Sequence, residues 1–372
     1  MSYFRENVNR MSAYVPGEQP PAGAKVIKLN TNENPYPPSP RALEAMRAVE
    51  PDSLRRYPHP YAQPFRVAAG RVLGVPAEWI IPGNGSDDLL AMIVLAAAEP
   101  GRKVVYPMPT YVLYRTLGEM QDAACVEVPY DRDYNLPVER LIEEQGAVTF
   151  VASPNSPSGT IAPWEQLEAL AAELRGLLVI DEAYTDFADE NALDLVRRHP
   201  NVIILRTLSK GYSLAGLRLG FGVMQPAAAE GIVKVKDSYP VDAVATAIGA
   251  AAMEDQAYKQ LCVAKVKLSR GRLTEALRKL GFQVWPSQSN FLLAQAPGNT
   301  EKDGIGLPSQ APFLGKAPIS AADIYEALKV RGILVRYFNQ PRLDDKLRIT
   351  VGTDEQNAAL IAALADIVGR AM

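Results

Sequence analysis

The sequence predicts an α/β fold, with a large, mostly parallel sheet flanked by helices and then a smaller α+β unit. Three observations carry this. Short apolar runs that read as buried strands alternate with helical stretches between Trp79 and Met224, the pattern of a parallel sheet. Asn155, Asp181 and Lys210 stand just beyond the ends of three successive runs, where open α/β sheets bind ligands. Near Pro240 the alternation gives way to long helices separated by a few strands. The expected division is a large domain over 40–250 and a second unit made of 1–39 with 251–372.

Taken in order, residues 1–40 are rich in Pro and Asn and poor in helical periodicity. Lys28-Leu29-Asn30-Thr31-Asn32-Glu33-Asn34-Pro35 reads as a short strand entering an ordered loop. That loop is either a set of local Asn/Pro turns or a cover laid over a pocket. Ser39 predicts a cap for a helix from Pro40 to about Val49, with proline in its first turn. Arg56-Tyr57-Pro58-His59-Pro60 is extended, because a residue before proline avoids the helical region. The run Trp79–Pro82 leads into Gly83-Asn84-Gly85-Ser86-Asp87-Asp88 and an apolar helix from Leu89 to Ala98. Glycines at that helix start serve a tight turn or an anion site of backbone N–H groups, and spacing alone leaves both open. Val104–Pro107 is the next strand, with Tyr111 beyond it. Ala147–Ala152 is a strand ending in Ser153-Pro154-Asn155-Ser156-Pro157-Ser158-Gly159-Thr160, and a helix follows from Glu165 to Leu174. Leu177–Ile180 is a strand whose end carries Asp181-Glu182-Ala183-Tyr184. Val202–Leu205 leads to Lys210, and a further apolar run, Leu219–Met224, follows.

Beyond Pro240, Val241–Gln256 and Tyr258–Leu280 read as helices and Phe291–Gln295 as a strand. Ala321–Val330 reads as a helix, Ile333–Tyr337 and Leu347–Val351 as strands, and Glu355–Ile367 as the last helix. From Pro297 to Pro318 the chain is rich in Gly, Pro and Ser and lacks periodicity, as a long loop or lid does.

Composition narrows the function. The 372 residues are 48% hydrophobic and 22% charged, an ordinary globular mixture too long for one simple core. A formal net charge of -3 without a basic face argues against nucleic acid. The two cysteines, Cys125 and Cys262, have no metal-ligand spacing and are expected as buried thiols of a reducing compartment. Met1–Arg10 is polar with charges of both signs, and no apolar run reaches membrane-spanning length, so a soluble, cytoplasmic protein is expected.

The chemistry centres on Thr207-Leu208-Ser209-Lys210-Gly211-Tyr212-Ser213-Leu214-Ala215-Gly216-Leu217-Arg218. A lysine on a tight connection at a strand end can act as a carbonyl-capturing nucleophile. Hydroxyls and a guanidinium nearby suit a phosphate. Lysine beside a phosphate site is what pyridoxal phosphate requires.

Together with Asn32-Glu33-Asn34-Pro35, Arg56-Tyr57-Pro58, Gly83-Asn84-Gly85-Ser86-Asp87, the Ser153–Gly159 and Asp181–Tyr184 stretches, Gly216-Leu217-Arg218 and Leu347-Arg348-Ile349-Thr350-Val351-Gly352, this stretch resembles the fold-type I aminotransferases dependent on pyridoxal phosphate. The nearest likeness among them is to the histidinol-phosphate aminotransferases, and it covers nearly the whole chain. The resemblance implies that Lys210 holds the cofactor and moves the proton at the substrate carbon. It implies that Asp181 pairs with the pyridinium nitrogen, that Tyr184 and Asn155 bond the ring's phenolic oxygen, and that Tyr111 stacks on the ring. Gly85, Ser86, Asp87, Thr207, Ser209 and Arg218 would hold the cofactor phosphate. On the substrate side it implies Tyr14, Asn34, Arg336 and Arg348, with the two guanidiniums facing an anionic end. Tyr57 would reach the cofactor phosphate of a neighbouring subunit, making the protein a homodimer with shared sites. No metal is expected.

The implied activity is transfer of an amino group from L-histidinol phosphate to 2-oxoglutarate. The sequence departs from the family in the long 297–318 stretch and in Tyr337-Phe338-Asn339, more aromatic than expected after Arg336. An aromatic amino acid aminotransferase and a threonine-phosphate-type decarboxylase on the same scaffold are the alternatives. A regulatory protein that binds the cofactor without turnover is disfavoured, since no DNA-binding segment is evident.

Overall fold

The computed structural model describes residues 2–12, 17–21, 23–297 and 319–371, the side chains from 370 onward excepted. Thirteen strands occur among the described residues. They are β1 Ile27–Lys28, β2 Ile80–Gly83, β3 Lys103–Met108, β4 Ala124–Pro129, β5 Val148–Ala152, β6 Leu177–Asp181, β7 Val202–Thr207, β8 Gly220–Met224, β9 Gln283–Val284, β10 Phe291–Gln295, β11 Ile333–Leu334, β12 Arg336–Tyr337 and β13 Lys346–Thr350.

Seven of them form one sheet in the order β2-β8-β7-β6-β5-β3-β4. The pairs from β4 to β7 are parallel, and β8 alone runs against both its neighbours. The large, mostly parallel sheet is therefore as the alternation predicts. Its strands are continuous apolar runs because both faces are covered. Phe150, Val179, Ile203 and Leu205 pack on one side against Leu89, Leu90 and Ile93 of the helix Ser86–Ala97. Val151, Leu178, Ile180 and Ile204 pack on the other against Leu167 and Leu170 of Trp164–Glu173 and Ile248 of Ala243–Glu254.

A second sheet, β12-β13-β10-β9, is antiparallel throughout. Leu292 and Ala294 of β10 and Leu347 and Ile349 of β13 share a core with Val266 and Leu273 of the long helix Gln256–Lys279 and with Ile324, Leu328, Leu360 and Leu364. The N-terminal strand joins this region: β1 pairs in parallel with β11. Leu29 N–H donates to the Leu334 carbonyl at 2.7 Å, and Thr350 N–H donates to the Leu29 carbonyl at 2.9 Å. Residues 30–34 are thereby laid across the strand ends of the large sheet.

Several expectations change. Ile333–Tyr337 is two strands, because Ile333 and Leu334 pair with β1 while Arg336 and Tyr337 pair with β13. Cys262 is buried, but Cys125 is half-buried at the helix–strand boundary. The patterning does not contain β4 or the helices Gln63–Leu73, Leu113–Met120, Val138–Glu144 and Pro226–Val235. The 297–318 stretch lies, apart from Pro297, outside the described residues. Among the described residues no helix is long and apolar enough to cross a membrane.

The antiparallel β8 begins where β2 ends, and the fit there has no slack. A methyl group on Gly220 would lie 2.6 Å from the Gly85 carbonyl carbon and against the Ser86 amide, which are backbone atoms that cannot yield. One on Gly222 would meet the flexible Met224 Cε at 2.8 Å. Gly220→Ala is therefore expected to cost about 1–3 kcal/mol in denaturant unfolding, as overpacking does. Gly222→Ala should cost clearly less; equal losses would mean that the β2–β8 junction tolerates an added methyl.

Candidate active site

Strand ends converge on one cavity of about 730 Å³. Helix Ser86–Ala97 starts directly after Gly85, which has φ +87° and so suits glycine. A Cβ there would come 2.5 Å from Arg218 Nη2, so the guanidinium occupies the space that a side chain would need. Arg218 Nη1 donates to Ser209 Oγ at 3.5 Å, and Nη2 pairs with Asp87 at 3.2 Å. Thr207 Oγ1 donates to Ser209 Oγ at 3.0 Å and accepts from Ser209 N–H at 3.2 Å. Backbone N–H groups at a helix start, two hydroxyls and a guanidinium thus surround one corner of the cavity, a cradle for a phosphate.

Asp181 ends β6 in the floor. Its carboxylate accepts from Tyr114 Oη at 2.8 Å and from Ala183 N–H at 3.1 Å. Burial nevertheless outweighs these bonds and lifts its pKa to about 6. Burial first, then the neighbouring Asp181, pushes the Tyr114 hydroxyl well above its ordinary value, so it remains a donor. A buried acid in this condition is poised for a cation.

Lys210 follows β7. Its Nζ donates to the Thr31 carbonyl at 3.3 Å and lies 5.6 Å from the centre of the Tyr184 ring. Tyr184 Oη accepts from Asn32 Nδ2 at 3.0 Å. Tyr111 lines the cavity, donates to Asp87 at 3.2 Å and meets Tyr114 edge-on at 5.7 Å. At the far end, Arg348 Nη1 donates to Ser156 Oγ at 3.1 Å and Nη2 to the Asn30 carbonyl at 3.0 Å. Arg336 lines the same end.

Lys210, Asp181, Tyr184, Ser86, Asp87, Tyr111, Thr207, Ser209, Arg218, Arg336 and Arg348 therefore share one cavity, with Gly85 at its edge. Other expected residues are placed differently. The Asn155 amide is held by Thr110, Ser158 and the Pro109 carbonyl. Asn34 Nδ2 donates to the Lys210 carbonyl at 3.1 Å, stapling the lysine loop. Tyr57 is 83% exposed and stacks on Tyr239 at 4.7 Å, away from the cavity. Tyr14 lies outside the described residues. The sequence reading lacks Tyr114, the partner of Asp181, whose one signal is its place three residues after Tyr111. It assigns no role to Thr31, Asn32 or Ser156, although all three stand within the quoted motifs. No cluster of His, Cys, Asp and Glu among the described residues could hold a metal.

A cradle at one corner, a buried carboxylate in the floor and a lysine on the same cavity define a site for a phosphorylated, cationic ring, the pyridoxal-phosphate class of enzyme. The chain belongs to the class I and II aminotransferases, whose family profile matches residues 24–364. It is 59% identical over 368 residues, 99% of each chain, to histidinol-phosphate aminotransferase 1 of Trichormus variabilis. It is 43% identical to histidinol-phosphate aminotransferase of Rhodopirellula baltica, covering 95% of this chain and 92% of that one. The crystal structure of histidinol-phosphate aminotransferase from Sinorhizobium meliloti in complex with pyridoxal-5'-phosphate matches at TM-score 0.85 and 27% identity, over 100% of this chain and 98% of that one.

The raised Asp181 pKa has a measurable consequence in cofactor-stripped protein. The folded value lies above the ordinary carboxylate value, so the stability that this group contributes is full below about pH 4 and is lost as pH rises through about 6. A displacement of that size is worth about 3 kcal/mol. Stripped Asp181→Asn should therefore match wild type in thermal stability near pH 4 and exceed it increasingly up to pH 7. A difference independent of pH would show that Asp181 titrates normally.

Proposed function

We propose that the chain transfers the amino group of L-histidinol phosphate to 2-oxoglutarate, giving imidazole acetol phosphate and glutamate in histidine biosynthesis. The observation that carries this is the end-to-end 59% identity with a relative named for that substrate. The paired guanidiniums of Arg336 and Arg348 at one end of the cavity support it.

The cofactor is pyridoxal 5'-phosphate. It supplies, when bound, an aldehyde that captures amino groups and a ring that draws electrons from the substrate's α-carbon. The residues present fit it. The N–H groups at Gly85, Ser86 and Asp87, with Thr207, Ser209 and Arg218, hold its phosphate. Asp181 keeps positive charge on the ring nitrogen, and Tyr114 keeps that carboxylate oriented. Tyr184 would serve the phenolic oxygen and Tyr111 would cover the ring, while Asn155 would join Tyr184 by trading one of its Nδ2 bonds to Ser158 or the Pro109 carbonyl. Lys210 Nζ would take the proton from the substrate's α-carbon and hold it for the return transfer, with the Thr31 carbonyl beside it. Arg348 and Arg336 bind the anionic end of the substrate, Arg348 in both half-reactions, with Asn34 and Tyr14 on the substrate side. Tyr57, exposed in one chain, completes the site of a second copy, so we assign a homodimer. A cytoplasmic location and the division into 40–250 and 1–39 with 251–372 complete this reading.

Lys210→Ala should lose turnover and the visible absorbance of bound cofactor; a variant that keeps both would remove Lys210 from the mechanism. Histidinol phosphate should exceed histidinol by roughly a hundredfold or more in kcat/KM. Two charge-assisted contacts of roughly 1.5–3 kcal/mol each are at stake. It should also exceed phenylalanine and threonine phosphate, and a win for phenylalanine would turn the assignment to an aromatic aminotransferase. Mixing and re-associating inactive Tyr57→Ala and Lys210→Ala chains should restore activity, because one of the two heterodimer sites is then intact. Heterodimers that form without activity would show that Tyr57 acts elsewhere.

A further inference from the structure

Arg336 and Arg348 stand directly opposite each other in the β12–β13 pair. Like charges at directly opposed positions of an antiparallel pair repel. Phe338, two residues beyond Arg336, lies against both: its ring centre is 5.2 Å from the Arg336 guanidinium carbon and 5.5 Å from that of Arg348. Both distances fall within the range at which an aromatic face attracts a cation. The other side of Arg348 meets the Phe291 ring at 5.3 Å.

The two arginines are held unequally. Arg348 is bonded to Ser156 and to the Asn30 carbonyl and is flanked by two rings. The Arg336 guanidinium makes no hydrogen bond or ion pair among the described residues, so the Phe338 ring is its principal fixture.

The ring itself is anchored from the large sheet. Phe338 packs against the core beneath that sheet, to which Leu343, 1% exposed, also belongs. Arg342 takes φ +71°, a costly value for a residue with a side chain, and donates to the Met108 carbonyl at 3.1 Å and the Asp131 carbonyl at 2.7 Å.

We propose that Phe338 is a specificity-determining positioning residue. By sharing its ring between Arg336 and Arg348, it holds two guanidiniums ready for one doubly charged phosphate, whereas a carboxylate needs Arg348 alone. The inference rests on the function proposed above and says how that site tells its two anionic substrates apart.

Phe338→Leu keeps apolar bulk and removes the aromatic face. It should lower kcat/KM for histidinol phosphate by about tenfold, mainly through KM, a loss within the reach of one or two cation–ring contacts. The value for glutamate should fall by less than about threefold, since the other fixtures of Arg348 remain. Phe338→Tyr, which keeps the ring, should retain the wild-type ratio of histidinol phosphate to histidinol. Phe338→Met replaces Phe338→Leu should the latter fail to fold. Equal losses on phosphate and carboxylate substrates, or an unchanged ratio, overturn the inference. A wild-type enzyme without preference for the phosphorylated amine overturns the proposed function, and this inference with it. A wild-type preference that survives loss of the ring overturns this inference alone.

Discussion

Cationic side chains crowded around one cavity are the constraint that the rest of the site answers. Lys210, Arg218, Arg336 and Arg348 all face it. Charges this close repel unless each has a separate counterweight. Arg218 rests on Asp87. Lys210 lies over the Tyr184 ring and under the Thr31 carbonyl. Arg348 lies between Phe291 and Phe338. Tyr184 in turn meets Phe291 edge-on at 5.0 Å, so an unbroken run of rings and cations crosses the cavity from Lys210 to Arg336. Aromatic faces are suited to this place because they attract a cation without neutralising it. The net positive potential stays available to ligands that bring phosphate or carboxylate groups.

Behind the cavity the polar groups are paired instead. Glu182, 1% exposed, is 2.7 Å from Arg206, and Asp186 is 2.9 Å from Lys259. Asp186 also fills the space beside Gly211 that a side chain would need. Buried pairs of this kind seldom add stability over an apolar core, but leaving either partner alone is costly, so they favour a single arrangement. Here that arrangement fixes the backbone next to Lys210. Lys259 comes from the long helix Gln256–Lys279, so the second core region has a direct hold on the lysine loop. Lys210 in front and paired charges behind it divide the same polar stretch into a reactive face and a structural one.

The strands of the large sheet and the residues at their ends were legible because the information is local. Apolar runs such as Val148–Ala152 and Leu177–Asp181 are buried on both faces and stop at the polar residue that enters the site. Pairing over long distances was less legible. Ile333–Tyr337 looks like one strand until β1, about 300 residues earlier, claims its first half. The opposition of Arg336 and Arg348 is a fact of register. Tyr114 was illegible for another reason. Its ring stacks on Phe150 at 4.6 Å like any core aromatic, and only its hydroxyl, at the other end, reaches Asp181. Asn34 and Asn155 were legible as important, but their contacts in the structure are to the loops beside the cavity.

The N-terminal segment shows why the two readings of an Asn- and Pro-rich stretch need not compete. The turns that Asn and Pro favour give it its shape. Asn32, with φ 58°, takes the left-handed conformation that Asn tolerates better than most residues. The segment then uses its polar groups on both ends of the cavity. The Asn30 carbonyl receives Arg348, and the Thr31 carbonyl receives Lys210. The Asn32 amide reaches Tyr184, and Asn34 reaches the Lys210 backbone. Thr350 holds the segment down, accepting from Asn32 N–H at 3.0 Å and donating to its side-chain oxygen at 3.1 Å. Thr350 and Arg348 lie on the same strand, on the same face, two residues apart. A shift of β13 would therefore move the anion-binding arginine and, through the Thr350 contact, the roof over the lysine together. This links the substrate's charged end to the proton-transferring end without any residue that spans the distance between them.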